Sequence, residues 1–472
     1  MNNDIIKLLN IIDEDVEIIE INIVDLNKYI HIAKKVIGNK TCPNCGCVMY
    51  SKGIRKREIN HPVLQDGYNL YLVLHQRKWR CTNIECNHYC NDEFSFIEKY
   101  KQSTNILPFL VLNKFKDINA TDTSVAKELN ISDNTVRNIF RSYVDLGRLP
   151  LSEVISIDEV HMNFDSKNLY SLIIMDFVSG EIIDILPNRL ENTTSKYFYS
   201  ITKEERDKVK YLICDMYNSY INYVNKYFKN AICIIDSFHV IQWLVRELRN
   251  YINDLKKKYR EEEKQKLEEK NMRNNTSYKT SESSDELYLL NNFSFFLLGN
   301  NDNIKYEQKR YYNYKFKMYL NTYQLEEMFF SIDKNLKVFS DLKQLYHDFN
   351  KDDFNSLEDV EIMLETLIIK YRNCGYKIFK NFAVLLENHK QLIINSFIKV
   401  EVVDSNGEYI LRRLSNGPME SFNNIPKDYK YISNGVSNFE YTRNRILWAT
   451  RRNPSILGIP KKLPKTNKNN KK

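Results

Sequence analysis

The chain has little glycine and little proline, and it contains no long apolar run. Its 472 residues include 12 Gly and 10 Pro, which argues against a collagen-like or loop-dominated protein. No window approaches the roughly 18–20 apolar residues that a membrane-spanning helix requires. The N-terminus also lacks the basic region, apolar stretch and small-residue cleavage site of a signal peptide. We therefore expect a soluble, intracellular protein that does not enter a membrane.

A large charge excess is also missing, because 69 basic residues face 61 acidic ones and the formal net charge is +8. This balance is compatible with a polyanionic partner but does not establish one. The distribution of charge along the chain is more informative than the total. The last thirteen residues carry six Lys and no acid, and the segment RNRILWATRRNP adds four Arg. These runs predict phosphate contacts, although a solvated tail has the same composition. The length predicts two to four domains.

Six of the nine cysteines fall between Cys42 and Cys90, and in an intracellular chain such clustering indicates metal binding more than disulfides. The motifs TCPNCGC and CTNIECNHYC flank a strand-forming segment, which is typical of a zinc ribbon. We expect residues 1–99 to hold one structural Zn²⁺ through Cys42, Cys45, Cys81 and Cys86. Cys90 or His88 could replace Cys86, and Cys47 is a spare thiol. The alternative is a set of reduced, buried thiols.

Residues 100–150 have the pattern of a helix-turn-helix in TDTSVAKELNISDNTVRNIFRSYV. Ala126 and Leu129 are expected to face inward, and Ser132 is expected to cap the second helix. The opposite side of that helix would expose polar residues towards a DNA major groove: Asn134, Arg137, Asn138 and Arg141. A pair of packed helices that never meets DNA has the same pattern.

From residue 151 to 245 the chain alternates between apolar strand patterns and helical ones. Three strands followed by helix, strand, helix and strand match the order of a ribonuclease H-like α/β core, a mixed sheet with helices on both faces. In that order the first, fourth and fifth strands are neighbours. Asp158, Asp215 and Asp236, which interrupt or end these three strands, are therefore expected to lie close together.

Three carboxylates stand where a metal-dependent DNA-cutting enzyme needs them: Asp158, Asp215 and Glu420. Carboxylates held on rigid elements can share two divalent cations, and these ions activate the nucleophile that attacks a phosphodiester. Strand alternation favours Asp158 over Glu159, and Asp236 competes with Asp215 for the second position. His239, one turn into a helix that starts at Asp236, could contact a phosphate or orient a carboxylate, or it could simply cap that helix.

Residues 246–410 are expected to form an all-helical insertion. The segment YEQKRYYNYKFKMYL is assigned to a helix, with its Tyr and Phe side chains packed in the core. A further helix is expected to begin near Ser415, with Pro418 in its first turn. It returns the chain to the catalytic core over residues 411–452 and is followed by the basic tail, 453–472.

Taken together, these motifs resemble the ISL3-type bacterial insertion-sequence transposases of the DDE superfamily. The similarity includes the CPxC…WRCxxxxC finger, the helix-turn-helix, IDE at Asp158, CDM at Asp215, DSFHV at 236–240 and SNGPMESFNNIPK at 415–427. It implies that Asp158, Asp215 and Glu420 are the catalytic triad, with Asp236 and His239 in a supporting motif. It also implies DNA contacts by Asn423 and Lys427, although Pro426 predicts that their helix kinks or ends there.

The expected function is therefore transposition of DNA with two Mg²⁺ ions, which Mn²⁺ can replace, bound by Asp158, Asp215 and Glu420. The partners would be double-stranded DNA, both the terminal inverted repeats and the target, and further copies of the chain, acting on the nucleoid in a bacterial cytoplasm. Two alternatives remain. One is a zinc-dependent DNA-binding regulator, such as a decayed transposase with an inert core, and the other is a ribonuclease H-like nuclease without strand transfer.

Overall fold

The computed structural model describes residues 2–13, 15–35, 38–63, 67–164, 169–274, 283–403 and 407–463. Residues 464–472, nine of the twenty residues of the predicted basic tail, lie outside the described residues. The chain divides into two compact units. The first comprises Met1–Arg148, His161–Tyr170 and Asn424–Lys472, and the second comprises Leu149–Val160 and Ser171–Asn423.

The first unit begins with a short helix and a five-stranded sheet in the order β1-β2-β4-β3, with β5 paired to β4. Strands β2 and β4 run parallel, and the other pairs are antiparallel. One face is covered by apolar side chains that include Ile32, Leu72 and Leu74, none of which is exposed. The elements are α1 (Asn2–Leu8), β1 (Val16–Val24), β2 (Asn27–Lys34), β3 (Met49–Asn60), β4 (Asn69–Cys81) and β5 (Tyr89–Asn91).

The helices of the first unit include the predicted helix-turn-helix. Thr121 caps α3, and Ser132 caps α4 by accepting a hydrogen bond from the backbone N–H of Thr135 at 3.2 Å. Ala126 and Leu129 are buried as expected. The elements are α2 (Leu107–Lys114), α3 (Asp122–Glu128), α4 (Asp133–Tyr143) and α17 (Phe439–Thr450).

The second unit contains a five-stranded mixed sheet in the order β10-β9-β6-β7-β8. The predicted neighbourhood of the first, fourth and fifth strands is therefore confirmed, because these are β6, β9 and β10. Strand β9 runs parallel to both β6 and β10, and β7 is antiparallel to β8. The elements are β6 (Val154–His161), β7 (Tyr170–Asp176), β8 (Ile182–Leu186), α5 (Glu191–Ser200), α6 (Lys203–Arg206), β9 (Tyr211–Cys214), α7 (Asn218–Lys226) and β10 (Ile232–Ile235).

A helical layer follows the sheet and has its own core, in which Leu244, Phe329, Leu364 and Phe382 are fully buried. The elements are α8 (Ser237–Asn274), α9 (Asp285–Asn292), α10 (Phe295–Leu298), a 3-10 turn (Asn301–Asn303), β11 (Tyr311–Asn313), β12 (Met318–Leu320), α11 (Thr322–Ser331), α12 (Lys334–Lys351), α13 (Leu357–Asn373), α14 (Lys377–Asn388), α15 (Lys390–Asn395), β13 (Lys399–Val403), β14 (Tyr409–Arg413) and α16 (Gly417–Ile432).

The expectation of an all-helical insertion is wrong in two places. Residues 306–320, assigned to a helix from the sequence, contain the antiparallel hairpin β11–β12. Its turn is fixed by Asn313, whose side-chain oxygen accepts the backbone N–H of Lys315 at 3.0 Å and of Phe316 at 3.3 Å. A second hairpin, β13–β14, precedes α16.

Helix α16 positions Glu420 in its first turn. Arg413, directly upstream on β14, ties the chain to its surroundings by donating to the backbone oxygens of Ser396 and Asn350, both at 2.6 Å. Pro426 lies inside α16, which continues to Ile432, so the helix does not end at the proline. Within the described part of the chain, no helix is both long enough and apolar enough to cross a membrane.

Candidate functional site

The register of the parallel strands brings the three predicted aspartates to one edge of the sheet. Ser156 pairs with Ile213, and Ile235 pairs with Cys214. Continuing these registers along the strands places Asp158 and Asp236 on either side of Asp215. The carboxyl ends of neighbouring parallel strands thus gather acidic groups that lie far apart in the sequence.

Asp158 is 8% exposed, and its carboxylate is held at both oxygens. Oδ1 accepts the backbone N–H of Glu159 at 2.7 Å, and Oδ2 accepts the side-chain amide of Asn423 at 2.6 Å. Glu159 instead pairs with Arg189 at 2.5 Å and accepts the hydroxyl of Tyr220 at 2.8 Å. The two adjacent acids therefore have separate partners, as strand alternation predicts.

His239 links the remaining acidic groups. Its Nε2 lies 2.6 Å from Oδ1 of Asp215, and its backbone N–H donates to the backbone oxygen of Asp236 at 3.1 Å. One ligand atom each from Asp236, His239 and Glu420 lies within 4.8 Å of the others, a spacing that could hold a metal ion. Among the described residues, Asp158, Asp215 and Glu420 do not form such a group by themselves. The structure therefore groups Glu420 with Asp236 and His239, the predicted supporting pair, rather than with Asp158 and Asp215.

Burial and like charge raise the proton affinity of this cluster. Burial, followed by the nearby charge of Asp215, raises the pKa of Asp158 to about 6, against the opposing hydrogen bonds from Glu159 and Asn423. Burial also raises the pKa of Asp236. Burial lowers the pKa of His239, but the contact with Asp215 and the charges of Asp236 and Asp158 outweigh it, so the net shift is upward. Crowded carboxylates of this kind suit a divalent cation, which would offset their repulsion.

The amide of Asn423 was expected to contact DNA. It is 6% exposed and donates to Asp158, one helical turn after Glu420 on α16. The spacing of three residues along a helix puts Asn423 and Glu420 on one face, a signal that could have found this link from the sequence. Lys427 is exposed.

A cavity of about 930 Å³ opens beside Asp215 and His239. One wall is a face of α8 that the sequence argument did not single out, although its spacing is helical. The other wall comes from later segments of the helical layer and includes Asn300 and His347. The α8 wall includes Phe238, Gln242, Trp243, Arg246 and Arg249.

The four preferred thiols form a second candidate metal centre. The Sγ atoms of Cys42, Cys45, Cys81 and Cys86 all lie within 4.8 Å of one another. The Cys42–Cys86 distance is 3.7 Å and the Cys45–Cys81 distance is 3.4 Å, close to the roughly 3.8 Å edge of a tetrahedron with zinc–sulfur bonds of about 2.3 Å. These separations are too long for disulfides. Cys90 instead lies 4.0 Å from the sulfur of Met49.

The predicted DNA-reading residues of α4 are exposed, all four of them: Asn134, Arg137, Asn138 and Arg141. Arg137 also pairs with Asp122 at 2.9 Å, and Asp122 accepts the hydroxyl of Tyr441. Arg137 and Arg141 line a cavity of about 550 Å³ together with the segment 433–438.

The arginines of RNRILWATRRNP are not a uniform phosphate-binding run. Arg445 is fully buried, and its guanidinium donates to the backbone oxygens of Phe115 at 2.7 Å and Ala120 at 3.0 Å. Arg451 is also buried and donates to the backbone oxygen of Gly147 at 2.7 Å. The expectation of phosphate contacts is therefore wrong for Arg445 and Arg451, which hold the first unit together.

Comparison with known proteins gives one finding and one absence. A search of the curated proteins finds no match. A family model described as transposase, that of the DDE transposases of the ISL3 group, matches residues 155–446, which is more than half of the chain. This segment includes every predicted catalytic and supporting carboxylate as well as His239. The chain therefore belongs to the ISL3 family of DDE transposases.

Proposed function

We propose that this chain cuts the ends of an insertion sequence and joins them to target DNA in a metal-dependent reaction. The observation that carries the proposal is the convergence of Asp158, Asp215, Asp236, His239 and Glu420. These residues come from three adjacent strands and two helices, and a charge cluster of this kind has no evident use in stability. Membership of the transposase family supports DNA as the substrate.

We further propose that the sheet of the second unit is a ribonuclease H-like core. Support comes from the strand order β10-β9-β6-β7-β8, with β9 parallel to both of its neighbours. The parts of segments 151–245 and 411–452 that belong to the second unit, the latter ending at Asn423, would form this core, with 246–410 as an insertion. Strand β6 with Asp158, strand β9 leading to Asp215, and helix α16 with Glu420 would then belong to one catalytic core.

Asp158, Asp215 and Glu420 would hold the two Mg²⁺ or Mn²⁺ ions, and oxygen ligands of this type suit hard cations. When bound, such ions lower the pKa of an attacking water or 3′-hydroxyl and stabilise the leaving oxygen. The protein's own groups do the remaining work. Asn423 fixes the orientation of Asp158 through the 2.6 Å hydrogen bond. The imidazole of His239 lies 2.6 Å from Asp215 and restrains that carboxylate.

The DNA would follow the cavity beside the carboxylates, where Arg246 and Arg249 offer charge to phosphates. Recognition of the terminal inverted repeats is assigned to the helix-turn-helix, through Asn134, Arg137, Asn138 and Arg141, and to the finger at 1–99 with its Zn²⁺. Lys427 is a further candidate phosphate contact. Two element ends must be held together, so we propose a dimer or larger assembly acting on the bacterial nucleoid in the cytoplasm.

The decisive experiment incubates the purified chain with Mg²⁺ or Mn²⁺, a target plasmid and labelled inverted-repeat DNA taken from the flanks of its gene. We expect cleavage at the repeat end and a joined donor–target product. Asp158→Asn, Asp215→Asn and Glu420→Gln should each lower cleavage by about a hundredfold or more, at least the loss typical of removing a group next to a metal. Comparing Asp236→Asn with Asp215→Asn identifies which aspartate holds the second position.

Asp176→Asn is the matched control. Asp176 ends the neighbouring strand β7, but its carboxylate accepts bonds from Val178 and Ser179 within a turn. It should keep cleavage near the wild-type rate. Specific repeat binding without any cleavage would identify a regulator or an inert transposase, and cleavage without joined product would identify a nuclease.

A further inference from the structure

An exposed group of tyrosines lies on the hairpin β11–β12, in the segment 305–320 that we call the tyrosine hairpin. Tyr312 is 43% exposed, Tyr314 is 86% exposed and Tyr319 is 64% exposed. From the sequence, the Tyr and Phe side chains of this segment are expected to pack in the core, and that expectation is wrong for these three tyrosines. A contiguous exposed aromatic surface of this kind usually marks a binding site.

The pairing of the two strands puts Tyr312 and Tyr319 on the same face. Tyr311 pairs with Leu320 on the other face, where Leu320 is 5% exposed and Tyr311 is 55% exposed. Tyr312 pairs with Tyr319, so their side chains lie next to each other. The ring centres of Tyr312 and Tyr319 are 5.3 Å apart, and those of Tyr312 and Tyr314 are 5.2 Å apart. The three rings form one surface before any ligand arrives.

The hairpin is anchored to α9 by Phe316 and Asn313. The ring of Phe316 packs edge-on against Tyr288 of α9 with centres 5.5 Å apart. The side-chain amide of Asn313 donates to the Tyr288 hydroxyl at 3.2 Å. These contacts do not involve Tyr312, Tyr314 or Tyr319. Rigid aromatic side chains bind partners at low entropic cost.

The same segment is rich in positive charge. The tyrosine hairpin contains five basic residues and one acidic residue, Glu307. Lys309, Arg310 and Lys317 are exposed, and Lys309 lies over the ring of Tyr311 at 5.3 Å. A second copy of the same surface would meet like charge, whereas a polyanion with flat rings would meet opposite charge and stacking partners.

We propose that the tyrosine hairpin binds an unpaired DNA strand, with bases stacked on Tyr312, Tyr314 and Tyr319 and phosphates held by Lys309, Arg310 and Lys317. Aromatic rings interleaved with cations are how proteins bind single strands without reading their sequence. The inference rests on the proposed function in one respect, because the strand in question would be the one released when an element end is cut. Binding itself needs neither metal nor cleavage.

The test measures fluorescence anisotropy of a short labelled oligothymidine with the full chain carrying Asp158→Asn, in the absence of divalent metal. The combined variant Y312A/Y314A/Y319A should weaken binding by about tenfold or more, since each stacked base contributes substantially. The variant Y312F/Y314F/Y319F keeps the rings and should bind as the parent does. Tyr409→Ala, which removes a tyrosine that is 77% exposed on β14 of the second unit, is the matched control and should have no effect.

The cations are tested separately by K309Q/R310Q/K317G. Glycine is chosen at Lys317 because that residue has φ of 54°, a conformation that glycine adopts without strain. Affinity should fall, and the dependence of log K on log salt should become shallower by about 0.7 for each phosphate that the variant no longer neutralises. Lys264→Gln on α8, a side chain that is 77% exposed, should change neither quantity.

Unchanged oligothymidine binding by the alanine variant overturns the proposal, and so does a phenylalanine variant as weak as the alanine one. If the alanine variant binds DNA normally but changes the oligomeric state, the surface is an interface between copies instead. Unfolding curves of all variants establish that the fold is intact. Loss of strand binding in these variants supports the inference even if no variant, nor the wild type, cleaves repeat DNA, so its failure and that of the proposed catalysis are separable.

Discussion

Lys343 is a cation inside the helical core of the second unit. Its side chain is fully buried, and its ammonium group donates to the backbone oxygen of Leu297 at 2.7 Å and to the side-chain oxygen of Asn301 at 3.3 Å. It therefore satisfies carbonyl groups near the end of α10, where helix geometry leaves them without partners. Burial lowers the pKa of Lys343 to about 8.

This shift predicts how stability depends on pH. Above about pH 8 the folded chain releases the Lys343 proton while the unfolded chain keeps it up to its ordinary pKa of about 10.4, so the unfolded state binds more protons and stability rises with pH. We expect the free energy of unfolding to gain about 1–2 kcal/mol between about pH 7.5 and 9.5. Urea unfolding across this range measures the gain, and Lys343→Met should abolish it. An equal gain in the methionine variant would contradict the assignment.

At the scale of elements, the cysteine motifs hold the end of a long hairpin in which local apolar packing is sparse. Strand β4 runs from Asn69 to Cys81, and the chain beyond it returns through the three-residue strand β5. The core at this end consists of the thiols with Met49 and Trp79. A structural metal commonly supplies the folding energy that such a small core lacks.

We therefore predict one zinc per chain, bound by Cys42, Cys45, Cys81 and Cys86. Cys86→Ser should lose zinc and expose the basic residues of β4, such as Arg80, to trypsin. Cys90→Ser is the matched change at the neighbouring thiol and should keep both zinc and protection. Elemental analysis and limited proteolysis provide the two measurements. If the Cys90 variant lost zinc and the Cys86 variant kept it, the fourth zinc ligand would be Cys90 and not Cys86.

At the scale of the whole molecule, the candidate active site is made by chain segments that are remote in sequence. Asp158 and Asp215 end up together through strand pairing, whereas Glu420 arrives on a helix that follows the entire helical layer. Folding the second unit is therefore a condition for forming the site. A cation bound to the site would in turn stabilise the folded state, because the unfolded chain presents no equivalent group of ligands.

This linkage gives a prediction that does not depend on activity. Mn²⁺ at about one hundred times its dissociation constant should raise the free energy of unfolding by about 2.7 kcal/mol. Glu420→Gln should reduce that gain, since it removes one ligand without changing the size of the side chain. Thermal unfolding with and without Mn²⁺ measures it. Glu401→Gln, an exposed glutamate on β13, is the control, and an undiminished gain in the Glu420 variant would argue against a ligand role.

The sequence by itself determined the features that depend on local patterns. Apolar alternation located the strands of the second unit, the Ser132 cap located the start of α4, and the CPxC spacing located the thiols. These three predictions succeed because the period of a strand, the cap of a helix and a short spacing between ligands each depend on a few neighbouring residues. The order of the strands was also predictable, because few connections between such elements are allowed.

Only the tertiary structure decided the rest, because it depends on contacts between distant segments. The amide of Asn423 turns from a predicted DNA contact into a partner of Asp158, and Arg445 turns from a surface cation into a buried anchor. Residues 306–320 form a hairpin rather than a helix, since the turn at Asn313 and the packing of Phe316 on Tyr288 outweigh the local pattern. The same contacts decide which tyrosines face solvent. Side-chain environment is set by the partner across the fold, and no stretch of sequence contains that information alone.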